Sequence, residues 1–108
     1  MNLYRSMRIV LMFDLPTIEA YEKKEYSIFR KALIKNGYQM IQFSVYTKPI
    51  LGQIKIEYEI NKLKKYIPTN GNIRAIQVTE KQYQDMYMIL GHKKINEIYN
   101  NSERYIKI

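Results

Sequence analysis

An unbroken apolar run near the start of the chain, Ile9–Phe13 (IVLMF), limits the folds that this sequence can adopt. Successive side chains of a β-strand point to opposite faces, so a strand with this sequence presents apolar groups on both faces. Such a run is typical of a central strand that is covered on both sides. The run stops at Asp14-Leu15-Pro16, where the proline favours the end of the strand.

An amphipathic helix of about five turns is predicted after this strand. Thr17 is the predicted N-cap residue, and Glu19 suits the positive end of the helix dipole. The residues that share the predicted buried stripe are apolar and recur at helical spacing: Ile18, Tyr21, Phe29, Ala32 and Leu33. Asn36-Gly37 is predicted to close the helix, because glycine readily adopts the left-handed conformation of a C-terminal cap.

The rest of the chain alternates between strand and helix patterns. We predict one half-buried strand at 38–47 that Pro49 ends, a helix over 50–66, a turn at 68–71 and a strand at 72–78. Thr79 and Gln82 match a capping box, which predicts a short helix. An apolar run at 86–90 and a terminal segment at 104–108 are predicted as a short strand pair, separated by an irregular stretch.

These elements predict an α+β fold of the ferredoxin-like type, a βαββαβ sandwich with an antiparallel sheet and two helices on one face. The 108 residues are expected to form a single domain, in which 92–108 supply a loop and a terminal strand. The two long helices cover only one face of the sheet. Because the first strand is apolar on both faces, we expect a second copy of the chain to cover the other face, which makes the protein a homodimer.

The charge of the chain points to a polyanionic partner. Lysine and arginine number 18 against 10 aspartates and glutamates, a formal net charge of +8 at neutral pH. This excess favours binding to nucleic acids. A solvated, lysine-rich surface gives the same composition, and that interpretation stays open. An amphipathic membrane helix fits less well, because the positive charge is spread along the chain.

Several kinds of site are excluded by composition. The chain has no cysteine and a single histidine, His92, so it has neither a disulfide framework nor a cluster of histidine or thiolate metal ligands. His92 lies in a polar segment without a nucleophile motif, and we interpret it as a surface residue. No apolar stretch approaches the roughly 20 residues that span a bilayer, and the start lacks the pattern of a secretory leader. We expect a soluble, cytoplasmic protein.

Asp14 is the candidate catalytic and metal-binding residue, since it is one of two aspartates and follows five apolar residues at a strand end. A partly desolvated carboxylate at such a position is a good cation ligand. The alternative is an ordinary turn or capping aspartate. One carboxylate is too few for two-metal cleavage of a phosphodiester, but a two-fold axis near Asp14 would let two copies share one magnesium ion.

Six lysines on the two predicted helices are candidate nucleic-acid contacts, because each of them can neutralise a phosphate. They are Lys23, Lys24, Lys31, Lys62, Lys64 and Lys65. Solvated helix faces carry the same pattern, so both interpretations stay open. Most of the 11 tyrosines are expected in the core or an interface rather than stacked on bases.

A series of segments along nearly the whole chain resembles the second CRISPR-associated protein family (Cas-two, or Cas2), in the variant found in type II systems. The segments are Leu11–Pro16 (LMFDLP), Phe29–Tyr38 (FRKALIKNGY), Gln42–Tyr46 (QFSVY), Gly71–Arg74 (GNIR) and Val78–Gln82 (VTEKQ). Each motif alone is weak, but their occurrence together and in this order is specific.

The resemblance implies a ferredoxin-like homodimer whose C-terminal strand is exchanged, so that it pairs with the partner's sheet. It implies a complex with the larger integrase, Cas-one (Cas1), which inserts foreign DNA fragments into the CRISPR array during spacer acquisition. Many members are also described as magnesium-dependent endonucleases on RNA or duplex DNA. Asp14 matches the family's metal-binding aspartate at the dimer axis, which implies one magnesium ion shared across the dimer.

Two positions depart from the family pattern. Many relatives have tyrosine where this chain has Phe13, and many have arginine early in the second strand where it has Met40. Both losses favour a DNA-binding scaffold for integration over a free-standing metal-dependent endoribonuclease or DNase. An unrelated ferredoxin-like RNA-binding module is a third interpretation, which the series of motifs disfavours.

Overall fold

The computed structural model describes residues 6–91, which form one antiparallel four-stranded sheet with its helices. The strands are β1 (Ser6–Asp14), β2 (Gln39–Gln42), β3 (Val45–Leu51) and β4 (Asn72–Thr79). The helices are α1 (Ala20–Lys35), α2 (Ile56–Asn61) and α3 (Glu80–Gln84), and a 3-10 turn follows α2 at Lys64–Tyr66. The strand order β2-β3-β1-β4 confirms the predicted ferredoxin-like fold.

The strand β1 is central, as its apolar run predicts. It pairs with β3 from Ser6 to Met12 and with β4 from Met7 to Asp14. On the helix-covered face, Ile9 and Leu11 are almost completely buried. On the opposite face Met12 keeps 39% of its surface exposed, so residues 6–91 fully cover only the first face.

The helix-covered face is built around aromatic rings. Phe13 packs edge-on against Tyr26 and Phe29, with ring centroids 6.0 and 5.4 Å apart, and stacks on Tyr46 at 5.7 Å. These side chains come from β1, α1 and β3. Aromatic pairs at such distances add specific geometry to the burial of apolar surface, so the cluster fixes α1 against the sheet.

A short helix covers part of the second face. The guanidinium of Arg8 donates to both carboxylate oxygens of Glu80 in α3, at 2.7 and 3.0 Å, and lies 4.2 Å from the ring centroid of Tyr83. Arg8 lies on the same face of β1 as Met12, because both positions are even-numbered in an alternating strand. The buried, bidentate ion pair therefore holds α3 across the sheet beside Arg8 and leaves the other end of this face open.

The helix α1 begins later than predicted and ends where predicted. The N-cap is Glu19 rather than Thr17, because the carboxylate of Glu22 accepts hydrogen bonds from the backbone N–H groups of Ile18 and Glu19, at 3.2 and 2.8 Å. This acidic cap moves the helix start beyond the predicted threonine. At the other end Asn36 is the C-cap and the glycine after it has a φ of +91°, as predicted.

The predicted single strand at 38–47 is wrong, because it is a hairpin. The chain reverses at 43–44, where Ser44 takes a φ of +64° and its carbonyl accepts a hydrogen bond from the Phe13 N–H at 3.1 Å. Pro49 does not end the strand either, since β3 continues to Leu51. The proline is accommodated because β2 extends along β3 only as far as Thr47, which lies opposite Gln39. Beyond Thr47, β3 pairs with β1 alone.

The segment between β3 and β4 is less helical than predicted. The helix expected over 50–66 is reduced to α2 and the 3-10 turn, while Ile50 lies in β3. The turn before β4 and the capping box of Thr79 and Gln82 are confirmed. The apolar run at 86–90 forms no strand element, and Leu90 is 90% exposed. The predicted loop and terminal strand at 92–108 lie outside the described residues.

In the described part of the chain, no helix is long and apolar enough to cross a membrane.

A buried group of charges joins β3 to α2. Glu59 is 3% exposed, and its carboxylate accepts hydrogen bonds from Lys48 at 2.5 Å and from Lys62 at 3.2 Å. Burial by itself would raise the pKa of Glu59, but the hydrogen bonds and the positive charges of the two lysines outweigh that effect and lower it. Glu59 is therefore held in its charged form inside the protein.

Tyr38 lies beside this carboxylate and is 4% exposed. Burial, and to a lesser extent the negative charge of Glu59, raises the pKa of Tyr38 to about 12. The phenol hydroxyl has no hydrogen-bond partner among the described residues, and the ammonium of Lys48 lies 5.7 Å from the ring centroid. The ring thus lies near the ion pair, while its hydroxyl takes no part in the hydrogen bonds of that pair.

We expect Glu59→Gln to lower the free energy of unfolding by about 3 kcal/mol at neutral pH, because it leaves the partly buried ammonium of Lys48 without its carboxylate partner. The pKa of Glu59 is lower in the folded state than in the unfolded state. Its stabilising effect is therefore present above the usual glutamate pKa and is lost as the pH falls through the lowered value.

Chemical denaturation between pH 7 and pH 2.5 measures this effect. The difference in the free energy of unfolding between the wild type and Glu59→Gln should shrink as the pH falls. Glu57→Gln, an exposed change on the same helix, is the matched control and should have little effect at any pH. A difference for Glu59→Gln that stays constant with pH would contradict the argument.

Candidate functional site

Asp14 is the last residue of β1 and lies directly opposite Asn72, the first residue of β4. Both face the side of the sheet that α3 leaves open. Together with Arg74 they line a shallow hollow of about 330 Å³, whose other lining residues are Met12 and Phe13. The sequence predicted a partly desolvated carboxylate, but Asp14 is exposed, because nothing in the described chain covers this end of the face.

The position of Asp14 depends on the turn that precedes β4. Gly71 has a φ of +108°, which L-amino acids with a side chain rarely adopt. A Cβ atom at this position would lie 2.7 Å from the backbone oxygen of Asp14 and 2.8 Å from Cδ2 of Leu15. Glycine therefore lets the end of β1 and the start of β4 come together, and this brings Asn72 beside the aspartate.

The oxygen donors at this end of the sheet suit magnesium. Asp14 offers an exposed carboxylate, and the adjacent Asn72 offers an amide oxygen, both of which are ligand types that magnesium binds. Among residues 6–91 there is no group of three or more His, Cys, Asp or Glu side chains that could hold a metal ion. The described residues therefore supply few ligands at this end of the sheet, and a magnesium ion shared by two copies stays a prediction.

Three of the six predicted lysines lie around one hollow on the helix side of the molecule. Lys62, Lys64 and Lys65 line a concavity of about 570 Å³, which we call the lysine hollow. The end of α1 closes it with Lys35, a residue that the sequence prediction missed. The full lining is Lys35, Asn36, Asn61, Lys62, Lys64, Lys65 and Tyr66.

The helical period sorts the remaining predicted lysines. At 100° per residue, Lys24 and Lys31 lie within about 40° of Lys35 around the axis of α1, so the three form a stripe that leads to the lysine hollow. Lys23 lies about 100° away from Lys24 around the helix axis, and therefore outside the stripe, on the other flank of α1. All four side chains are exposed. This stripe could have identified Lys35 from the sequence. Positions 24, 31 and 35 are seven and four residues apart, and both steps return to nearly the same face of a helix.

The lysines of the hollow are not equivalent. Lys62 donates to the buried Glu59, and its ammonium lies 4.7 Å from the ring centroid of Tyr58. Lys64 and Lys65 form no ion pair with any described residue. The ammonium of Lys65 lies 5.4 Å from the ring centroid of Tyr66. No carboxylate of residues 6–91 neutralises Lys64 or Lys65, whereas Glu59 partly compensates the charge of Lys62.

Comparison with known proteins identifies the family of this chain. A family model described as CRISPR associated protein Cas2 matches residues 7–86, which is most of the chain. The chain belongs to the Cas2 family. The resemblance found from the sequence motifs is thereby confirmed.

Several similar proteins carry the name CRISPR-associated endoribonuclease Cas2. One from Ligilactobacillus salivarius is 42% identical over 100 residues, which cover 93% of this chain and 98% of that protein. One from Treponema denticola is 40% identical with the same coverage. One from Streptococcus mutans is 42% identical over 93% of this chain and 91% of its own length.

The structure locates the two departures from the Cas2 pattern. Phe13 points into the aromatic core, so the hydroxyl that it lacks would lie among buried rings and not on the face of Asp14. Met40 pairs with Tyr46, whose side chain is on the helix side, and belongs to the edge strand β2. Phe13 is among the residues that line the hollow around Asp14, whereas Met40 is not.

We expect Gly71→Ala to lower the free energy of unfolding by about 3 kcal/mol, because the change combines an unfavourable φ with a clash against the backbone of Asp14. Gly37→Ala is the matched control. It meets a similar φ of +91°, but its Cβ would lie 3.5 Å from Cε of Lys48, an ordinary contact.

Chemical denaturation of both variants separates backbone strain from the clash. The control should lose only about 1 kcal/mol. If both variants lost the same free energy of unfolding, the close approach of Gly71 to Asp14 would make no contribution to the cost of the substitution.

Proposed function

We propose that this Cas2 chain is a cytoplasmic subunit of CRISPR spacer acquisition, a homodimer that holds duplex DNA for the Cas1 integrase. The observation that carries the proposal is the lysine hollow, together with the lysine stripe of α1 that leads to it, on a chain of this family. Several cations that converge on one concave surface suit a phosphate backbone better than a compact ligand.

The charge balance supports a long polyanion as the ligand. Two chains at +8 each give a dimer of 2 × 8 = +16. Asn61 adds an amide group to the rim of the lysine hollow, and side chains of this kind also bind phosphate oxygens. The amide of Asn36, on the same rim, already donates to the carbonyl of Ala32. Contacts of this sort fix the position of a duplex but read no base sequence, as a scaffold for varied DNA fragments requires.

Dimerisation is supported by the uncovered end of the second sheet face. Met12 is 39% exposed there, and Ile76, which lies beside Val10 in the register, is 54% exposed. The outer edge of β4 is also available, since within the described residues β4 pairs with β1 alone. We expect the partner's sheet to cover the apolar face and the partner's C-terminal strand to pair along this edge.

Metal-dependent cleavage of nucleic acid is the second function that we propose. It is supported by the exposed carboxylate of Asp14 and by the names of the similar proteins, which call them endoribonucleases. The carboxylates of two copies, with Asn72 beside each, would hold one magnesium ion at the dimer axis. When bound, magnesium would neutralise charge on the scissile phosphate and make a bound water more acidic.

We expect the double change Lys64→Gln and Lys65→Gln to weaken binding of a DNA duplex about tenfold at moderate salt. The slope of log affinity against log salt should also become shallower by about one for each lost phosphate contact. Fluorescence anisotropy with a labelled duplex, titrated at several salt concentrations, measures both quantities.

The matched control is Lys23→Gln with Arg30→Gln, which removes the same charge from the other flank of α1. It should change affinity and slope much less. An equal loss in the two double variants would mean that net charge alone drives binding and that the lysine hollow is not the contact surface.

We expect Asp14→Ala to abolish magnesium-dependent cleavage and to leave insertion of DNA by the reconstituted complex with Cas1 largely intact. Integration chemistry needs a site with several acidic ligands, and this chain does not supply one in its described part. Removing two facing carboxylates also relieves their mutual repulsion.

Two assays on the same preparation test this expectation: nuclease activity of the purified protein, and spacer insertion with Cas1. Sedimentation at micromolar concentration is the control, and should show a dimer for both wild type and variant. Loss of insertion by a variant that still forms the dimer and binds Cas1 would make Asp14 catalytic in integration.

A further inference from the structure

We infer that Arg74 is the phosphate-binding residue of the Asp14 site, holding the backbone of the nucleic acid beside the metal-binding carboxylate. The inference rests on the second proposed function, since it concerns the same hollow. Arg74 ends the GNIR segment of the family resemblance, but that resemblance assigns no role to it.

The register of the sheet places Arg74 close to Asp14 without pairing the two. Asp14 lies opposite Asn72, and Arg74 lies opposite Met12, so Arg74 is the diagonal neighbour of Asp14 on the same face. Diagonal neighbours across an antiparallel pair are about 7–8 Å apart. Both side chains line the same hollow, yet they form no ion pair with each other.

The guanidinium of Arg74 is available for a ligand. The side chain is exposed, and among residues 6–91 it forms no hydrogen bond, ion pair or ring contact. Arg8 lies on the same face of the sheet and gives the contrast, because its guanidinium donates to both oxygens of Glu80 and packs on Tyr83. One arginine of this face therefore serves the fold, while the other is exposed and lines the open hollow.

A cation beside Asp14 favours binding of a phosphate in this hollow. A carboxylate repels a phosphodiester, so a site with Asp14 alone would disfavour its own substrate until a metal ion binds. A guanidinium presents a planar pair of N–H donors that match two phosphate oxygens. With Asp14 and Arg74 separated across the diagonal, a phosphate group can contact the arginine while a metal ion contacts the aspartate. Arg74 would bind the phosphate and take no part in making or breaking bonds.

The test compares Arg74→Gln with Arg74→Lys, and uses Arg30→Gln as the control that removes one exposed arginine from α1. The first readout is the KM for magnesium-dependent cleavage of a single-stranded RNA. We expect KM to rise about tenfold in Arg74→Gln, with kcat changed much less. The KM of Arg74→Lys should lie between those of the wild type and Arg74→Gln, because lysine keeps the charge but loses the paired donors. The KM of Arg30→Gln should match that of the wild type.

The second readout needs neither metal nor cleavage. A 2′-O-methyl tetranucleotide is titrated into the ¹⁵N-labelled wild-type protein, and the Nε–H signal of Arg74 is followed by NMR. We expect this signal to shift with added ligand, and the affinity to fall in Arg74→Gln. Sedimentation should show the same dimer in all variants.

Three results would overturn the inference. They are an unmoved Arg74 signal, an Arg74→Gln effect no larger than that of Arg30→Gln, and loss of the dimer in Arg74→Gln, which would make the residue an interface contact. If the wild type cleaves no RNA, the nuclease function fails, and the titration alone decides the role of Arg74. If the wild type cleaves and Arg74→Gln behaves like the control in both readouts, only the role of Arg74 fails.

Discussion

Backbone hydrogen bonds along both edges of β1 hold this fold together, since the strand pairs with β3 on one side and β4 on the other. Every other element is placed relative to it. The aromatic cluster of Phe13 attaches α1 to its buried face, and the Arg8–Glu80 ion pair attaches α3 to the opposite face. Asp14 is exposed because it stands at the end of this strand, beyond the part that α3 covers.

The two candidate surfaces lie on opposite sides of the sheet and differ in how their charges are supported. The lysine hollow is connected to the core, because Lys62 binds the same buried glutamate as Lys48. The hollow around Asp14 depends instead on backbone geometry, through the close approach of Gly71. A change in side-chain charge would act mainly on the first surface, and a change in the turn before β4 mainly on the second.

The sequence was most informative where one local signal decides the structure. The apolar run of β1, the closing glycine of α1 and the capping box at Thr79 are signals of this kind, and each predicted its element. The family motifs also located Asp14 at a strand end. The hairpin at 43–44 was missed because its residues continue the alternation of the flanking strands, and its turn contains neither glycine nor proline. Contacts between distant residues, such as Arg8 with Glu80, leave no local pattern at all.

The cluster of Glu59, Lys48 and Tyr38 has a consequence at the alkaline end of the pH scale. Tyr38 keeps its proton in the folded state up to about pH 12, whereas an unfolded tyrosine ionises near pH 10. Between these values the unfolded chain releases a proton that the folded chain retains, so rising pH favours unfolding. In acid, protonation of Glu59 removes the stabilisation that its charged form provides. One small buried group of side chains thus helps to set both the acid and the alkaline boundary within which this protein stays folded.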